Sequence, residues 1–373
     1  MKLMCAGPTA VRSSSIEAMG KFRTNPDLDP EYTVFHRSVE EKYSRLLHTN
    51  RRSIIMLGEA IMGLEAAVIN LMEKGDKVLV LSNGFFGAGF MDYVKSYGGE
   101  GVLFEATYDK SFDLKELEAF VNEKGPFKLA TMVHCETPTG VTNDVKNICK
   151  LLKSKGMMTI VDGVSSVMGE YIDFDSANID ILIGGTQKAI SAPTGLTLLT
   201  LSQAAEEKIA SRKEITGYYM NLKNYLSYAG DFDFPYTMNE NLVYALDAAL
   251  TEISKEDFEG IHEKFANAVR STVKECGLEL FAKECPSNTL TAVVLPEKIK
   301  ASEFLDKLKE KGFLISGSMG HLKDSLIRIG HMGNNNNYSD FVEMFEAMDE
   351  VFKDMGCELK GSLCEAFKNN FNK

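Results

Sequence analysis

The stretch that decides the fold runs from Ile181 to Ala189 and reads Ile-Leu-Ile-Gly-Gly-Thr-Gln-Lys-Ala. Its first three residues are the continuous apolar run of a strand that is buried on both faces. The glycines end the strand, and Lys188 follows in a short loop whose continuation to Gly195 is mostly small or apolar. Two interpretations stay open for this lysine. It is a desolvated, nucleophilic amine, or its stem is buried while its charge reaches solvent.

The same alternation extends along the chain on both sides of this stretch. Amphipathic helices, expected for example over 31–47, 61–72 and 89–97, separate short apolar runs that end in turn residues. This order is typical of an α/β protein in which a mostly parallel, seven-stranded sheet lies between helices. The predicted strands cover residues 53–57, 77–81, 101–104, 129–133, 159–161, 181–183 and 195–201.

The pattern changes after residue 254, where longer helices flank fewer strands. We predict an N-terminal arm over 1–20, a large domain over 21–254 and a smaller C-terminal α/β domain over 255–373 with a helical tail. In the small domain, helices are expected near 257–276 and 302–311, and strands near 289–295 and 325–329.

Composition narrows the class of protein. The chain has 373 residues and a net charge of −12, which makes nucleic acid an unsuitable partner. It lacks the apolar run of a signal peptide and a run long enough to cross a membrane. Its seven cysteines are scattered without a CxxC pair, a pattern typical of reduced thiols. We therefore expect a cytoplasmic protein with no membrane segment.

Asp162 follows the predicted strand at 159–161 and opens a second polar loop. A carboxylate at the end of a buried strand is costly unless it has a partner. It can cap a helix, or it can hold a cation such as a protonated pyridine nitrogen. The carboxyl ends of parallel strands meet at one edge of a sheet, so Asp162 and Lys188 can lie at opposite ends of one flat ring.

A third polar loop runs from His134 to Gly140 after the predicted strand at 129–133. A metal centre is not expected here, because adjacent residues of an extended chain point to opposite sides. The sequence also lacks a second ligand pair with zinc spacing. We expect His134 to be a buried, hydrogen-bonded structural residue.

Three motifs in this order resemble the class V branch of the fold-type-I pyridoxal-phosphate (PLP) aminotransferases, which contains the alanine–glyoxylate and serine–pyruvate aminotransferases. They are His134-x-Glu136-Thr137-x-Thr139-Gly140-Val141, Val161-Asp162-x-Val164-Ser165-Ser166, and Gln187-Lys188-Ala189 followed by Ala192-Pro193-x-Gly195. The resemblance extends from Leu3 to about residue 350. It implies the PLP cofactor and the fold-type-I transferase fold.

The resemblance assigns four residues to the cofactor ring. Lys188 would bind PLP through a Schiff base and then move the proton between the substrate Cα and C4′ of the cofactor. Asp162 would keep the pyridine nitrogen protonated. Val164 would pack on one face of the ring, and Phe86 would stack on the other, unless Phe86 is an ordinary core residue.

The resemblance also places the cofactor phosphate. It would lie at the turn Gly58-Glu59-Ala60, where the amides of a helix N-terminus suit an anion. Thr137 and Gln187 would add hydrogen bonds. Glu59 departs from the family pattern, since like charges repel. We hypothesise that it faces away, pairs with an arginine, or contacts the amino group of a substrate.

A partner subunit contributes to the phosphate site in this family, through a segment that reads Phe234-Pro235-Tyr236-Thr237 here. Thr237 is the matching hydroxyl and Tyr236 a looser match. The resemblance therefore implies a homodimer with shared active sites.

Two residues are assigned to the substrate. Arg328, inside the apolar run 326–330, matches the arginine that binds the substrate α-carboxylate with a planar guanidinium. Gly7 stands in Ala6-Gly7-Pro8-Thr9, where the family has Gly-Pro-Gly-Pro. The expected reaction is transamination between a small amino acid, such as alanine or serine, and a 2-oxo acid, such as glyoxylate or pyruvate.

Alternative functions remain open. Ureidoglycine or an aminophosphonate is an alternative amine. A cysteine desulfurase-like lyase is disfavoured because Met319 stands where that group has its cysteine. A binding protein without turnover is disfavoured by the joint presence of Lys188, Asp162 and Arg328. A nicotinamide-linked dehydrogenase is excluded because no predicted strand leads into G-x-G-x-x-G.

Overall fold

The computed structural model describes residues 1–21, 24–226 and 234–373. Its strands are β1 (Lys2–Leu3), β2 (Ser53–Leu57), β3 (Lys77–Ser82), β4 (Glu100–Glu105), β5 (Leu129–Val133), β6 (Cys135–Glu136), β7 (Val141–Thr142), β8 (Met158–Asp162), β9 (Ile181–Gly185), β10 (Leu196–Leu201), β11 (Glu279–Leu280), β12 (Leu290–Val294), β13 (Phe313–Leu314), β14 (Ser316–Gly317) and β15 (Leu326–Gly330). Its helices are α1 (Ser13–Met19), α2 (Pro30–Leu46), α3 (Ala60–Leu71), α4 (Phe85–Ser96), α5 (Leu114–Lys124), α6 (Val145–Ser154), α7 (Gln203–Ser211), α8 (Glu240–Ile253), α9 (Phe258–Glu275), α10 (Ala301–Glu310), α11 (Tyr338–Asp354) and α12 (Leu363–Phe371).

Seven of these strands form the main sheet, in the order β2-β10-β9-β8-β5-β3-β4. The pairs from β9 to β4 are all parallel, whereas β10 is antiparallel to both of its neighbours. The prediction of a mostly parallel, seven-stranded sheet is confirmed. The direction of β10 could not be predicted, because an apolar run carries no information about strand direction.

Strand β3 shows why its sequence is apolar throughout. Val78 and Val80 belong to the hydrophobic core on one face of the sheet, and Leu79 and Leu81 belong to the core on the other. Successive side chains of a strand point to opposite faces, so a sheet covered by helices on both sides needs apolar residues at every position.

The C-terminal residues build a second sheet with its own core, in the strand order β11-β12-β15-β14. The tail is part of this unit. Phe367 of α12 is fully buried and stacks against Phe341, with ring centroids 5.5 Å apart, and its centroid lies 5.1 Å from that of Phe345. No helix was predicted over the residues of α11, because the sequence was assigned only as far as the polar residues 334–337. The domain boundary at residue 254 stays a prediction.

The N-terminal arm connects the two sheets. Lys2 and Leu3 pair in parallel with β13, and Met4 lies in the core of the C-terminal unit. The arm then crosses to the main sheet, where the amide of Thr9 donates to the carbonyl oxygen of Gln187 at 2.9 Å. It is fixed from the other side by Asn335, whose side chain accepts from the amide of Ala10 at 3.0 Å.

Helix α4 begins at Phe85, four residues earlier than the predicted start at 89. The carboxylate of Glu136 accepts hydrogen bonds from the amides of Gly87, at 2.6 Å, and Phe86, at 3.3 Å. This cap comes from a residue far along the chain, so the local sequence gave no sign of it. Among the described residues, no helix is long and apolar enough to cross a membrane.

Candidate active site

A cavity of about 270 Å³ opens at the carboxyl ends of β5, β8 and β9, the edge at which an open parallel sheet gathers its functional loops. Most of the predicted site residues lie together in its wall. Those that line it are Gly7, Glu59, Ala60, Phe86, Thr137, Asp162, Val164, Gln187 and Lys188. Gly58, Tyr236, Thr237 and Arg328 are not among its lining residues.

Lys188 lies in this wall with its amine held by the N-terminal arm. Its Nζ donates to the carbonyl oxygen of Ala6 at 2.8 Å. Burial lowers the pKa of Lys188 to about 8, and the positive charge of Arg328 lowers it as well. A pKa near 8 leaves roughly a tenth of the amine neutral and nucleophilic at pH 7, far more than for an ordinary lysine. Of the two interpretations of this lysine, the structure supports the desolvated amine.

Gly7 makes room for the lysine. Its φ is +93°, in the left-handed region, and a Cβ built on it would lie 2.3 Å from Cδ of Lys188 and 2.7 Å from Nζ. Real Cβ atoms do not approach other atoms so closely, so a side chain here would displace Lys188. Gly7 therefore shapes the position of the amine, and its assignment to substrate binding stays a prediction.

The lowered pKa of Lys188 predicts how the full chain, freed of any bound vitamer, reacts with pyridoxal. Only the deprotonated amine attacks an aldehyde, and it predominates above the pKa. We expect the rate of covalent attachment to rise with pH with a midpoint near pH 8. Stopped-flow absorbance of the forming adduct across a pH series measures this midpoint. A midpoint near 10.5, the ordinary value of lysine, would show that the amine is solvated.

Asp162 ends β8 and lines the same cavity. It is 5% exposed, and its Oδ1 accepts from the amide of Val164 at 2.9 Å. Burial raises the pKa of Asp162 to about 6. A cation against this carboxylate, such as a protonated ring nitrogen, would favour its charged form. The hydrogen bond is local and caps no helix among the described elements, so the N-cap interpretation is wrong.

Phe86 and Val164 both line the cavity. The backbone of Phe86 is fixed because Glu136 caps helix α4, and Val164 is fixed by the Asp162 bond to its amide. Phe86 is thus a cavity residue rather than a fully buried core residue. An aromatic ring and a branched aliphatic side chain suit the two faces of a flat aromatic ligand.

Glu59 lies in the turn Gly58-Glu59-Ala60, which was predicted to bind the cofactor phosphate. It is the N-cap of α3, and its Oε2 accepts from the amide of Ile61 at 3.0 Å. Its Oε1 accepts from Nε2 of Gln187 at 2.6 Å. Glu59 lines the cavity and therefore does not face away. Pairing with an arginine stays a hypothesis, since the described ranges of this chain show no such ion pair. A contact with the amino group of a substrate stays a prediction.

Gly58 and Thr137, which were also predicted to bind the phosphate, already form hydrogen bonds within the chain. The amide of Gly58 donates to the carbonyl oxygen of Gly195 at 2.8 Å, which closes the end of the β2–β10 pairing. This amide is therefore not free for a phosphate. The hydroxyl of Thr137 is hydrogen-bonded to that of Ser165, and both residues line the cavity. In the first turn of α3, the amide of Ile61 bonds the carboxylate of Glu59 and that of Met62 bonds its carbonyl oxygen. The described hydrogen bonds leave the amide of Ala60 available as a helix-end donor.

Arg328 approaches the site from β15 of the C-terminal unit. Its Nε donates to the carbonyl oxygen of Gly317 at 2.6 Å, and its Nη1 donates to that of Thr137 at 3.0 Å. Burial lowers the pKa of Arg328 to about 10, so it stays protonated near neutral pH. Two backbone carbonyls fix the plane of the guanidinium, while its remaining N–H groups can receive a carboxylate.

Tyr236 and Thr237 form contacts within their own chain and do not line the cavity. The hydroxyl of Tyr236 accepts from the amide of Leu57 at 2.8 Å, and its ring stacks on Tyr219 with centroids 4.5 Å apart. The hydroxyl of Thr237 donates to Asp27 at 2.7 Å. Their contribution to the site of a partner subunit stays a prediction, and it would require these bonds to be exchanged.

His134 is buried, as predicted for a structural residue. Its Nδ1 lies 2.9 Å from the hydroxyl of Ser166, and burial lowers its pKa to about 4. Within the described residues, no group of three or more His, Cys, Asp and Glu side chains is placed to hold a metal ion.

Several residues of the cavity wall were missed from the sequence. Ser165 follows Val164 in the motif 161–166, and this adjacency was a usable signal. Ile61 and Leu64 are three apart on α3, so they share one face of that helix. Pro8 and Thr194 gave no signal of their own. All five line the cavity.

The wall of the cavity fits PLP at one end and not at the other. At the ring end the residues fit: Lys188 can bond the aldehyde carbon, Asp162 can hold the ring nitrogen, and Phe86 and Val164 can cover the ring. At the phosphate end they do not fit as they stand, because the carboxylate of Glu59 takes the helix N-terminus that an anion would use.

Known proteins resemble this chain in sequence and in structure. The family model Aminotransferase class-V matches residues 3–332. An uncharacterized aminotransferase of Methanocaldococcus jannaschii is 32% identical, over 98% of this chain and 96% of that protein. The serine–glyoxylate aminotransferase of Arabidopsis thaliana is 28% identical, over 95% and 90%. The crystal structure of pyridoxamine–pyruvate aminotransferase from Mesorhizobium loti matches with a TM-score of 0.94 and 25% identity, over 100% and 97%.

Proposed function

The chain belongs to the class-V aminotransferases, a family of PLP-dependent enzymes with the fold-type-I architecture, and we propose that it transfers the amino group of a small amino acid to glyoxylate or pyruvate. One observation carries this proposal. A desolvated lysine amine and a buried carboxylate line one cavity, between an aromatic and an aliphatic side chain, and a fixed arginine lies beside it.

The cofactor of the family, when bound, withdraws the electron pair that is left when a proton leaves the substrate Cα. The residues of this chain supply the rest. Lys188 takes that proton on Nζ and delivers it to the acceptor carbon, for which a pKa near 8 is suitable. Asp162 would keep the ring nitrogen protonated. Leu64 and Phe86 add apolar surface to the wall of the cavity.

Arg328 orients the substrate by its α-carboxylate. Its guanidinium is held by the carbonyl oxygens of Gly317 and Thr137, so a carboxylate meets donors whose plane is already fixed. The sequence has no second arginine in a position that matches a site for a side-chain carboxylate in this family, which favours substrates with one carboxylate. We therefore expect small neutral amino acids, such as alanine and serine, as amino donors. Ureidoglycine and aminophosphonates are the alternatives that an activity test must include.

The active form is a homodimer in this proposal. The segment with Tyr236 and Thr237 lies next to the end of β2, which leads into Gly58 and Glu59. Its two hydroxyls would contribute to the site of the partner, as the family resemblance implies. Small amino acids and oxo acids are the other partners, and the reaction needs no nucleic acid or membrane.

A panel of amino donors against oxo acids tests the proposed function. The expected result is turnover of alanine or serine with glyoxylate or pyruvate at least tenfold faster than with aspartate and 2-oxoglutarate, because one arginine binds one carboxylate. Sulfide released from cysteine is measured in parallel. Fast sulfide release without transamination would replace the proposal with a desulfurase.

A further inference from the structure

We propose that the phosphate end of this site selects B6 vitamers with a free 5′-hydroxyl, pyridoxal and pyridoxamine, over their phosphate esters. The inference rests on the proposed function, since it uses the same Lys188 and Asp162. It concerns the residues at the far end of the ring, which are Glu59 and Gln187.

The carboxylate of Glu59 stands where a phosphate would bind. Its Oε2 accepts a hydrogen bond from the amide of Ile61, in the first turn of α3. The carbonyl oxygen of Gly195 accepts from the amide of Gly58. Backbone amides at a helix N-terminus are what a phosphate needs. An ester at this position would have to displace Glu59 from its cap.

The charges at the cavity also oppose a phosphate. The charged residues of the wall are Glu59, Asp162 and Lys188, and Arg328 lies beside it. The two cations serve the aldehyde and the substrate carboxylate in this proposal, so Glu59 is the charged residue of the wall at the phosphate end. Glu59 is close enough to Asp162 for its charge to raise the pKa of that carboxyl further. A phosphate monoester brings a charge of about −1.5 to −2 at neutral pH. Asp162 is buried and Glu59 is partly exposed, so water screens only part of this repulsion.

The hydrogen-bonding groups here call for a donor on the ligand. Gln187 is 6% exposed, and its Nε2 donates to Glu59. Its Oε1 is buried without a partner in the part of the chain that the structure describes. A hydroxyl can donate to this oxygen or to the carboxylate, the second bond being charge-assisted. A phosphate dianion has only acceptors to offer.

The test titrates the full chain, freed of bound vitamer, with pyridoxal and with PLP, and follows the visible band of the Lys188 adduct. The wild type should bind pyridoxal at least tenfold more tightly, which corresponds to about 1.4 kcal/mol. Glu59→Gln keeps the size of the side chain and removes its charge. It should bind PLP at least tenfold more tightly than the wild type and bind pyridoxal several-fold more weakly.

Glu65→Gln is the matched control. It lies on the same helix, its side chain accepts from the hydroxyl of Tyr97 at 2.5 Å, and it is not among the cavity residues. Both affinities should stay at the wild-type values. If Glu59→Gln does not fold, Glu59→Thr removes the carboxylate and keeps a good N-cap.

The outcomes separate the two proposals. Tighter binding of PLP by the wild type, with no change in Glu59→Gln, overturns the selection by Glu59 and leaves the proposed function standing. Absence of a Lys188-dependent band with either vitamer overturns the proposed function, and the selection with it.

Discussion

Lys188→Ala is expected to lose transamination by about 10⁴-fold or more, because it removes both the amine that bonds the cofactor and the base that moves the proton. The methyl group of alanine leaves a gap beside Gly7, where the lysine stem now packs. The fold should survive, since the loop remains fixed by Thr9, whose hydroxyl donates to the carbonyl oxygen of Lys188 at 2.8 Å. Steady-state rates and a thermal melt measure the two effects.

The gap allows a control for the lysine variant. A small primary amine, such as ethylamine, should enter the space that the side chain vacates and restore part of the rate in Lys188→Ala. The same amine should leave the wild type unchanged. Transamination by Lys188→Ala at a tenth of the wild-type rate, without added amine, would show that another residue moves the proton.

Asp162→Asn is expected to lower kcat by about 10²- to 10³-fold, the cost of losing one electrostatic contact that the transition state needs. A neutral amide cannot keep a ring nitrogen protonated. Its oxygen can still accept from the amide of Val164, so the loop should keep its shape. Because Arg328 is untouched, KM for the oxo acid should change little, and the loss should appear in kcat.

Asp180→Asn is the matched control for this prediction. Asp180 is also buried, but it lies before β9, where it forms an ion pair with Lys153 at 2.8 Å. This position is at the opposite edge of the sheet. The control should lower the melting temperature and leave kcat of the folded enzyme unchanged. Equal losses of kcat in both variants would assign the effect of Asp162 to stability.

The ring end of the site was predictable from the sequence for a definite physical reason. Parallel strands put their carboxyl ends at one edge, so two apolar runs that end in Asp162 and in Lys188 had to bring them to the same place. Their chemistry then followed from residue type. Most of the strands were predictable because they lie between two helix layers and are buried on both faces, whereas the edge strand β4 is only partly buried.

The phosphate end was not predictable, because its geometry depends on contacts between residues far apart in the chain. The sequence identified Glu59 as unusual, but only the fold shows that Gln187 meets it. The same applies to Glu136 capping α4 and to Ala6 accepting from Lys188. A sequence pattern reports which face of an element is buried, and it does not report which side chain another element brings to it.

Borohydride trapping shows directly which lysine bonds the cofactor. The full-length chain is incubated with pyridoxal or PLP, reduced with borohydride and digested, and the modified peptide is located by mass spectrometry. We expect a single reduced adduct on Lys188, absent from Lys188→Ala. An adduct on a different lysine, or active enzyme that yields no adduct at Lys188, would contradict this expectation.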